Sequence, residues 1–227
     1  MSVGLVIVSH SAALAEGVVE LAAQMAPDVV VVAAGGLPDG GIGTDYERVS
    51  AAVSDADSGD GSVLLYDLGS AQMTAELVVE MLGDPNSAVV ADAALVEGAV
   101  AAAVAAQGGA DLRAVARAAE ADPRQSPRAE DGDELGGPAE EVREELELTN
   151  DVGLHARPAA LLARSLTGLQ AEVLISLGEQ EADAASVLGL MGLGARKGDR
   201  IVVRATGPDA TQAVARIREL AERHFDE

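Results

Sequence analysis

The chain has 227 residues, contains no cysteine, and carries 38 acidic against 15 basic residues, a formal net charge of −23 at pH 7. This acidity disfavours nucleic acids and anionic membranes as partners, and the lack of cysteine excludes disulfides and thiolate chemistry. No apolar run reaches the roughly 18 residues of a membrane span, and the N-terminus lacks a signal peptide's basic region and cleavage site, so we expect a cytoplasmic protein.

Residues 1–121 alternate short apolar runs with helical patterns. Four runs have the length and composition of buried parallel strands: residues 3–8, 29–33, 62–66 and 88–91. Apolar residues recur at helical spacing in five further segments: residues 14–25, 46–53, the stretch through Leu82, 97–106 and 112–121. The alternation predicts an α/β domain, an open parallel sheet with helices on both faces.

Polar and glycine residues follow the ends of three predicted strands. His10 follows the first strand, the Gly-rich loop 35–44 follows the second, and Asp67-Leu68-Gly69-Ser70 follows the third. Ligand chemistry in open parallel sheets gathers at the carboxyl ends of the strands. We therefore expect these three segments to form one site.

Residues 122–142 lose all periodicity. They contain Pro123, Pro127, Pro138, a Gly136-Gly137 pair and many acidic residues. This composition predicts a solvated, flexible linker. Charge also changes along the chain. Residues 1–121 hold 17 acidic and 3 basic residues, a charge of −14, whereas residues 146–227 hold 12 and 9, a charge of −3.

Residues 143–227 have the pattern of a second domain. Three segments alternate as half-buried strands do: residues 146–149, 173–177 with a short partner, and 201–205. Three segments are helical: residues 159–166, 187–193 after a capping Ser186, and an amphipathic stretch at 213–221. The order predicts an α+β open-faced sandwich, an antiparallel sheet covered on one face by helices.

The motif Gly153-Leu154-His155-Ala156-Arg157-Pro158-Ala159 places a histidine just before the 159–166 helix. Free backbone N–H groups and the helix dipole favour a phosphate there, and the Arg157 guanidinium suits phosphate oxygens. The alternative is a surface histidine that caps a helix. His10, in Ser9-His10-Ser11, is a weak signal by itself, and its alternative is a polar residue in a turn. Together, the two histidines suggest a phosphoryl relay.

The second domain resembles HPr, the histidine phosphocarrier of the bacterial sugar phosphotransferase system. The motifs that carry the resemblance are residues 153–159, Ser186-Val187-Leu188-Gly189-Leu190-Met191 and Lys197-Gly198-Asp199. The resemblance implies that His155 is phosphorylated on Nδ1 and that Arg157 binds the phosphate. Ser186 aligns with the regulatory serine of some HPr proteins. A plain helix cap is the favoured alternative, and Ala185, which stands where many relatives carry lysine, weakens the regulatory role further.

The first domain resembles the mannose-type EIIA family. The matching segments are residues 5–11, 14–17, Gly35, 42–45, 67–71 and 95–98. Within that superfamily the two domains together look most like DhaM, the phosphotransferase subunits of dihydroxyacetone kinase. The resemblance implies that His10 carries phosphate, on Nε2, and that the EIIA-like domain pairs into a homodimer.

The neighbours of His10 have expected roles as well. Because Asp67 ends a strand next to that of His10, it can accept the N–H of the ring nitrogen that is not phosphorylated, although it could merely cap the following helix. Gly69, Ser70, Ser11 and Thr44 can offer donors to phosphoryl oxygens, whereas the alternative for glycine is a turn with positive φ. A third histidine, His224, is expected at the surface with no motif around it.

The chain has no Gly-x-x-x-x-Gly-Lys-Ser/Thr loop, so we expect no ATP substrate and a phosphoryl group that comes from another phosphoprotein. Because the three histidines lack a clustered spacing and there is no cysteine, we also expect no metal, and we expect no cofactor. The resemblance implies enzyme I as donor and ADP on the kinase's nucleotide-binding subunit as acceptor. Some relatives append a partial enzyme I segment; since this sequence ends at Glu227, we expect a separate enzyme I. The alternatives are phosphate transfer to a sugar-transporter EIIB domain and a regulatory sensor that binds a transcription factor.

Overall fold

The computed structural model describes residues 2–84, 86–121 and 141–226. The chain divides into two compact units, residues 1–121 and 122–227. The expected linker at 122–142 lies outside the described residues, apart from its last two. None of the helices in the described ranges combines the length and the apolar character needed to cross a bilayer.

In its described part, residues 2–84 and 86–121, the first unit contains a four-stranded parallel sheet and five helices. The strands are β1 (Gly4–Ser9), β2 (Val31–Gly35), β3 (Ser62–Tyr66) and β4 (Ala88–Val90), in the spatial order β2-β1-β3-β4. The helices are α1 (Ala12–Met25), α2 (Tyr46–Ala56), α3 (Gly69–Leu82), α4 (Leu95–Gln107) and α5 (Leu112–Glu120). The central β1 is buried along its whole length, which explains its continuous apolar sequence.

Helices cover both faces of this sheet, as predicted. Leu5 and Ile7 of β1 pack in one core with residues of α1, α4 and α5. The alternate residues Val6 and Val8 pack in a second core with residues of α2 and α3. The two-residue period of a strand divides the apolar run between two layers. The fold class predicted for residues 1–121 is therefore confirmed.

The second strand lies two residues later than the apolar run predicts. Val29 closes the turn after α1, since its N–H donates to the Ala26 carbonyl at 3.2 Å. At the other end, Gly35 belongs to β2 and approaches α1 so closely that a Cβ there would lie 2.6 Å from the Ser11 carbonyl oxygen. Packing, rather than hydrophobicity, sets the bounds of this strand.

Within residues 141–226, the second unit contains an antiparallel sheet of four strands with the order β5-β8-β6-β7. The strands are β5 (Val142–Glu147), β6 (Glu172–Leu177), β7 (Gln180–Asp183) and β8 (Arg200–Thr206). The helices are α6 (Ala156–Ser165), α7 (Val187–Gly192) and α8 (Ala210–Glu222), followed by a short 3-10 turn at His224–Asp226. Alternate residues of β8 are buried, so one face of the sheet carries the core. The predicted α+β sandwich is confirmed.

The first strand of this unit was predicted at 146–149, and that position is wrong. β5 starts at Val142 and ends at Glu147, although three of its six residues are glutamates. Arginines on neighbouring elements balance this charge. Arg218 of α8 donates to both carboxylate oxygens of Glu144, at 2.6 and 2.9 Å, and Arg200 of β8 lies 3.3 Å from Glu145. A local hydrophobic pattern cannot predict these pairs, because they join residues of different elements.

Candidate functional site

His10 lies directly beyond the carboxyl end of β1, beside the end of β3. The strands pair in parallel, and the N–H of Asp67 donates to the Val8 carbonyl at 3.2 Å. This register brings the Asp67 carboxylate to the imidazole, with 2.9 Å between Nδ1 and Oδ1. The same carboxylate accepts the backbone N–H of His10 at 2.9 Å. Two residues 57 positions apart thus form the centre of this site.

The Asp67 carboxylate is fully engaged by donors. Besides the two groups of His10, it accepts the Ser9 hydroxyl at 2.8 Å and the Leu68 N–H at 2.8 Å. Burial by itself raises the pKa of Asp67, but the hydrogen bonds from the His10 N–H and ring and from Ser9 outweigh it and hold that pKa below its usual range. An ionised Asp67 makes Nδ1 the protonated nitrogen, so Nε2 presents its lone pair.

The Nε2 atom of His10 faces the beginning of α3. It lies 2.6 Å from the hydroxyl oxygen of Ser70, the second residue of that helix. The N–H groups of Gly69 and Ser70 belong to the first turn, where helices have no internal acceptors for them. A Cβ added at Gly69 would meet no atom within 4 Å, so space is open beside these groups. The arrangement suits a group bonded to Nε2 whose negatively charged oxygens face the first turn of α3.

The hydroxyl groups of the other two predicted donors, Ser11 and Thr44, contact groups other than the imidazole. Ser11 caps α1, because its hydroxyl accepts the Leu14 N–H at 3.3 Å. The Thr44 hydroxyl lies 3.1 Å from that of Thr74, and the Thr74 hydroxyl donates to the Ser70 carbonyl. Thr44 therefore supports the turn that carries Ser70.

Sequence reasoning missed the role of Ser9. Its side chain is completely buried, donates to Asp67, and accepts the Ser11 N–H at 3.0 Å. One signal was available, namely a hydroxyl at the end of an otherwise apolar, fully buried strand. A buried hydroxyl needs partners, so its position indicates a polar network at the strand end.

His155 is the N-cap residue of α6. Its backbone is extended, with φ −77° and ψ −178°, and its side chain makes no capping hydrogen bond to the helix. The imidazole is exposed, as is Arg157 in the first turn, whereas Pro158 is buried. The N–H groups of this first turn therefore remain available to an anion beside the imidazole.

The backbone of the preceding loop fixes the position of His155. Gly153 has φ +66°, and a Cβ there would lie 2.1 Å from the Ala195 carbonyl oxygen. The same oxygen accepts the N–H of Leu154 at 3.0 Å, and the buried Asn150 amide donates to the Gly153 carbonyl at 2.9 Å. Only glycine combines this φ with so close an approach.

His224 is exposed, as expected, but lies beside this same loop. Its Nδ1 is 2.8 Å from the Thr149 hydroxyl, and Phe225, next to it, is buried. Nearby, Lys197 donates to Asp151 at 2.5 Å, which lowers the pKa of that exposed carboxyl. The contact with Thr149 joins residues 75 positions apart and has no local signal in the sequence.

Ser186 is the N-cap of α7. Its hydroxyl accepts the N–H of Gly189 at 3.0 Å. This is the helix-cap alternative weighed for that residue, and a regulatory role for Ser186 remains a prediction.

Comparison with known proteins agrees with the two-unit organisation. Residues 4–116 match the EIIA-man family, described as PTS system fructose IIA component, and residues 142–223 match the PTS HPr component phosphorylation site family. The second unit is also similar to phosphocarrier protein NPr of Escherichia coli, at 44% identity over 38% of this chain and 97% of that protein.

Several relatives are described as the phosphoryl donor subunit DhaM of a PEP-dependent dihydroxyacetone kinase. The protein from Providencia stuartii is 34% identical over 98% of this chain and 50% of its own length. The one from Listeria innocua is 40% identical over 42% of this chain and 75% of its own length. The chain spans about half the length of the first of these relatives. With an EIIA-man region followed by an HPr region, and with this identity along almost its whole length, the chain belongs to the DhaM family.

Proposed function

We propose that this chain is a phosphoenolpyruvate-dependent phosphoryl relay with two histidine stations. Enzyme I phosphorylates His155, the phosphoryl group moves to His10, and His10 transfers it to ADP bound on the nucleotide-binding subunit of dihydroxyacetone kinase. The names of the DhaM relatives support this assignment. The observation that carries it is the Asp67–His10–Ser70 alignment, which directs one ring nitrogen to a helix N-terminus.

At His10 the chemistry is an in-line displacement. The Nε2 lone pair attacks phosphorus, the new N–P bond forms as the bond to the His155 ring breaks, and His155 recovers its lone pair. The ionised Asp67 stabilises the ring, which gains positive charge during attack. Ser70 and the first N–H groups of α3 stabilise the phosphoryl oxygens. In the next step the β-phosphate oxygen of ADP attacks, the Nε2–P bond breaks, and ATP forms.

At His155 the phosphoryl group would rest on an exposed ring beside Arg157 and the first turn of α6. We assign Nδ1 as the acceptor on the HPr resemblance. Because both stations belong to one chain, the second transfer proceeds at an effective concentration set by the segment between them. This organisation corresponds to an EIIA-like domain at 1–121, a linker at 122–142 and an HPr-like domain at 143–227. Homodimerisation through residues 1–121 is part of the proposal.

Labelled phosphoenolpyruvate with purified enzyme I tests the order of the stations. In the natural chain we expect label on His155 and His10. His155→Ala should leave both positions unlabelled, whereas His10→Ala should retain label on His155 alone. Full charging of His10 in His155→Ala, without added HPr, would contradict the relay.

A chase with the ADP-loaded kinase subunit tests the acceptor. Label that drains from His10 into ATP supports the dihydroxyacetone kinase assignment. Label that remains on His10 contradicts this acceptor and favours an EIIB domain or a regulator.

A further inference from the structure

Helix α3 exposes an unusual amount of apolar surface. Ten large apolar side chains are exposed among the described residues, and five of them lie on α3 or its N-cap: Leu68, Met73, Leu77, Met81 and Leu82. Met73 is 71% exposed and Met81 67% exposed. Single exposed apolar residues are ordinary, but a contiguous group on one element indicates contact with another molecule.

The spacing aligns this surface with the candidate site. Ser70, Met73, Leu77 and Met81 are separated by three, four and four residues, so they share one face of the helix. The face that packs on the sheet is a different one, formed by Ala71, Ala75 and Val78. The apolar stripe therefore starts at the residue that contacts His10 Nε2 and extends about 16 Å from it, at about 1.5 Å per helical residue.

We propose that Leu68, Met73, Leu77 and Met81, here called the α3 face, form the docking surface for the protein that accepts phosphate from His10. This inference rests on the proposed function, because it concerns the partner of the same site. In-line transfer requires the accepting atom to reach within about 3–3.5 Å of the phosphorus on Nε2. A protein placed there covers the first turn of α3 and, beyond it, the stripe.

Two other occupants fit the α3 face less well. The HPr-like unit belongs to the same chain, so it needs little contact area to reach His10, whereas a separate acceptor must obtain its affinity from the surface it buries. A second copy of this chain would bring like charges together. Two α3 faces brought together would place Glu76 and Glu80 of each copy near those of the other, and α3 contains no basic residue to offset them, so the homodimer proposed above uses another surface of residues 1–121.

The acidic residues beside the α3 face also indicate which surface the acceptor should present. It should present an apolar groove of about three helical turns with basic side chains along its rim. Rim charges mainly affect the association rate and its dependence on salt, whereas the apolar anchors set how long the complex lasts.

The test uses the full chain with Met73→Glu and Leu77→Glu together. Charging of His155 and His10 by phosphoenolpyruvate and enzyme I should proceed as in the natural chain, which also shows that the fold is intact. Transfer from His10 to the ADP-loaded kinase subunit should show a KM for that subunit raised at least about tenfold, with kcat within about twofold. The pair Met73→Ala and Leu77→Ala, which removes area without adding charge, should shift KM in the same direction by a smaller factor.

Val30→Glu is the matched control. Val30 is 44% exposed and precedes β2, at the edge of the sheet opposite His10. It should leave the KM unchanged. An unchanged KM in the Glu pair, an equal rise in Val30→Glu, or a natural dimer that the Glu pair dissociates would overturn the docking proposal while the relay stands. If the natural chain itself transfers nothing to this subunit, the proposed function fails and the docking proposal fails with it.

Discussion

His10 and His155 both lie where the chain enters a helix, but different parts of the protein hold them. The His10 ring is mostly buried, with a side chain 19% exposed, and both of its nitrogens contact side chains. His155 is exposed, and the structure fixes its position through the backbone of residues 153–154 and their contact with Ala195. One histidine is oriented through its ring, and the other is placed through its main chain.

This difference suits the two steps of the proposed relay. An exposed ring on a fixed loop can be reached by a large donor protein without rearrangement. A ring with Asp67 on one nitrogen has only the other nitrogen available, which defines a single direction of attack. Substitutions that disturb the backbone of the loop before His155 should therefore affect mainly His155, whereas substitutions of side chains that contact the ring should affect mainly His10.

The largest expected effect is that of Gly153→Ala. Alanine at φ +66° costs about 1–2 kcal/mol, and its Cβ would lie 2.1 Å from a backbone oxygen that cannot rotate away. With the displacement of the Ala195 segment, we expect a total loss of at least about 3 kcal/mol from the second unit. Residue-resolved hydrogen exchange of the full chain measures that loss, and the rate of His155 charging by enzyme I should fall with it.

Gly168→Ala is the control for this substitution. Gly168 also has positive φ, at +80°, but a Cβ there meets no atom within 4 Å. It should cost only about 1–2 kcal/mol and leave His155 charging intact. Equal losses in the two variants would show that the contact with Ala195 does not hold the loop.

Asp67→Asn should have the next largest effect, at the other station. An amide can donate as well as accept, so it no longer fixes the Nδ1–H tautomer of His10. We expect transfer from His155 to His10 to slow by about 10- to 100-fold, by analogy with the loss seen when a metal-bound histidine loses the group that orients it. Quenched-flow measurement of label on the two histidines gives this rate directly.

Asp92→Asn removes a carboxylate at the same edge of the sheet. Asp92 accepts the Tyr66 hydroxyl at 2.5 Å, a hydrogen bond that raises the pKa of Tyr66 to about 12. It has no contact with His10 and should leave the transfer rate unchanged. If Asp67→Asn transferred as fast as Asp92→Asn, ring orientation would not limit the reaction.

The smallest effect concerns the response of Asp67 and Asp151 to acid and salt. Both have a folded pKa below the ordinary 3.8, so the stability each contributes is fully present above pH 3.8 and is lost as the pH falls through the lower folded value. Asp151 and its partner Lys197 are exposed, whereas the Asp67 side chain is 12% exposed. Salt screens exposed pairs far more than buried ones.

Unfolding of the natural chain, Asp67→Asn and Asp151→Asn at pH 7 and at pH 3, each with low and with 1 M KCl, measures this difference. The Asp151→Asn difference should vanish at 1 M KCl, and the Asp67→Asn difference should persist. Both differences should shrink at pH 3. A salt-insensitive Asp151→Asn effect would mean that the loop before His155 also depends on a side-chain pair.

Much of the fold could be predicted from local patterns. The apolar runs gave the strands of the first unit, because a buried parallel strand must be continuously apolar, and the 153–159 motif located His155. The bounds of β2 and β5 could not be obtained this way. β2 is set by the approach of Gly35 to α1, and β5 is a glutamate-rich strand whose glutamates pair with arginines of β8 and α8.

The sequence by itself determined the positions of the two histidines, the chemistry they favour, and the two fold classes, because these follow from periodicity and from motifs within one element. Parallel pairing also indicated that Asp67 would lie near His10. Only the tertiary structure decided that Nε2 of His10 faces Ser70 and that the buried Ser9 donates to the Asp67 carboxylate. It also decided that the Ala195 carbonyl leaves no room for a side chain at Gly153. The tertiary structure also leaves Met73, Leu77 and Met81 exposed, because α3 packs against the sheet through its smaller side chains, Ala71, Ala75 and Val78.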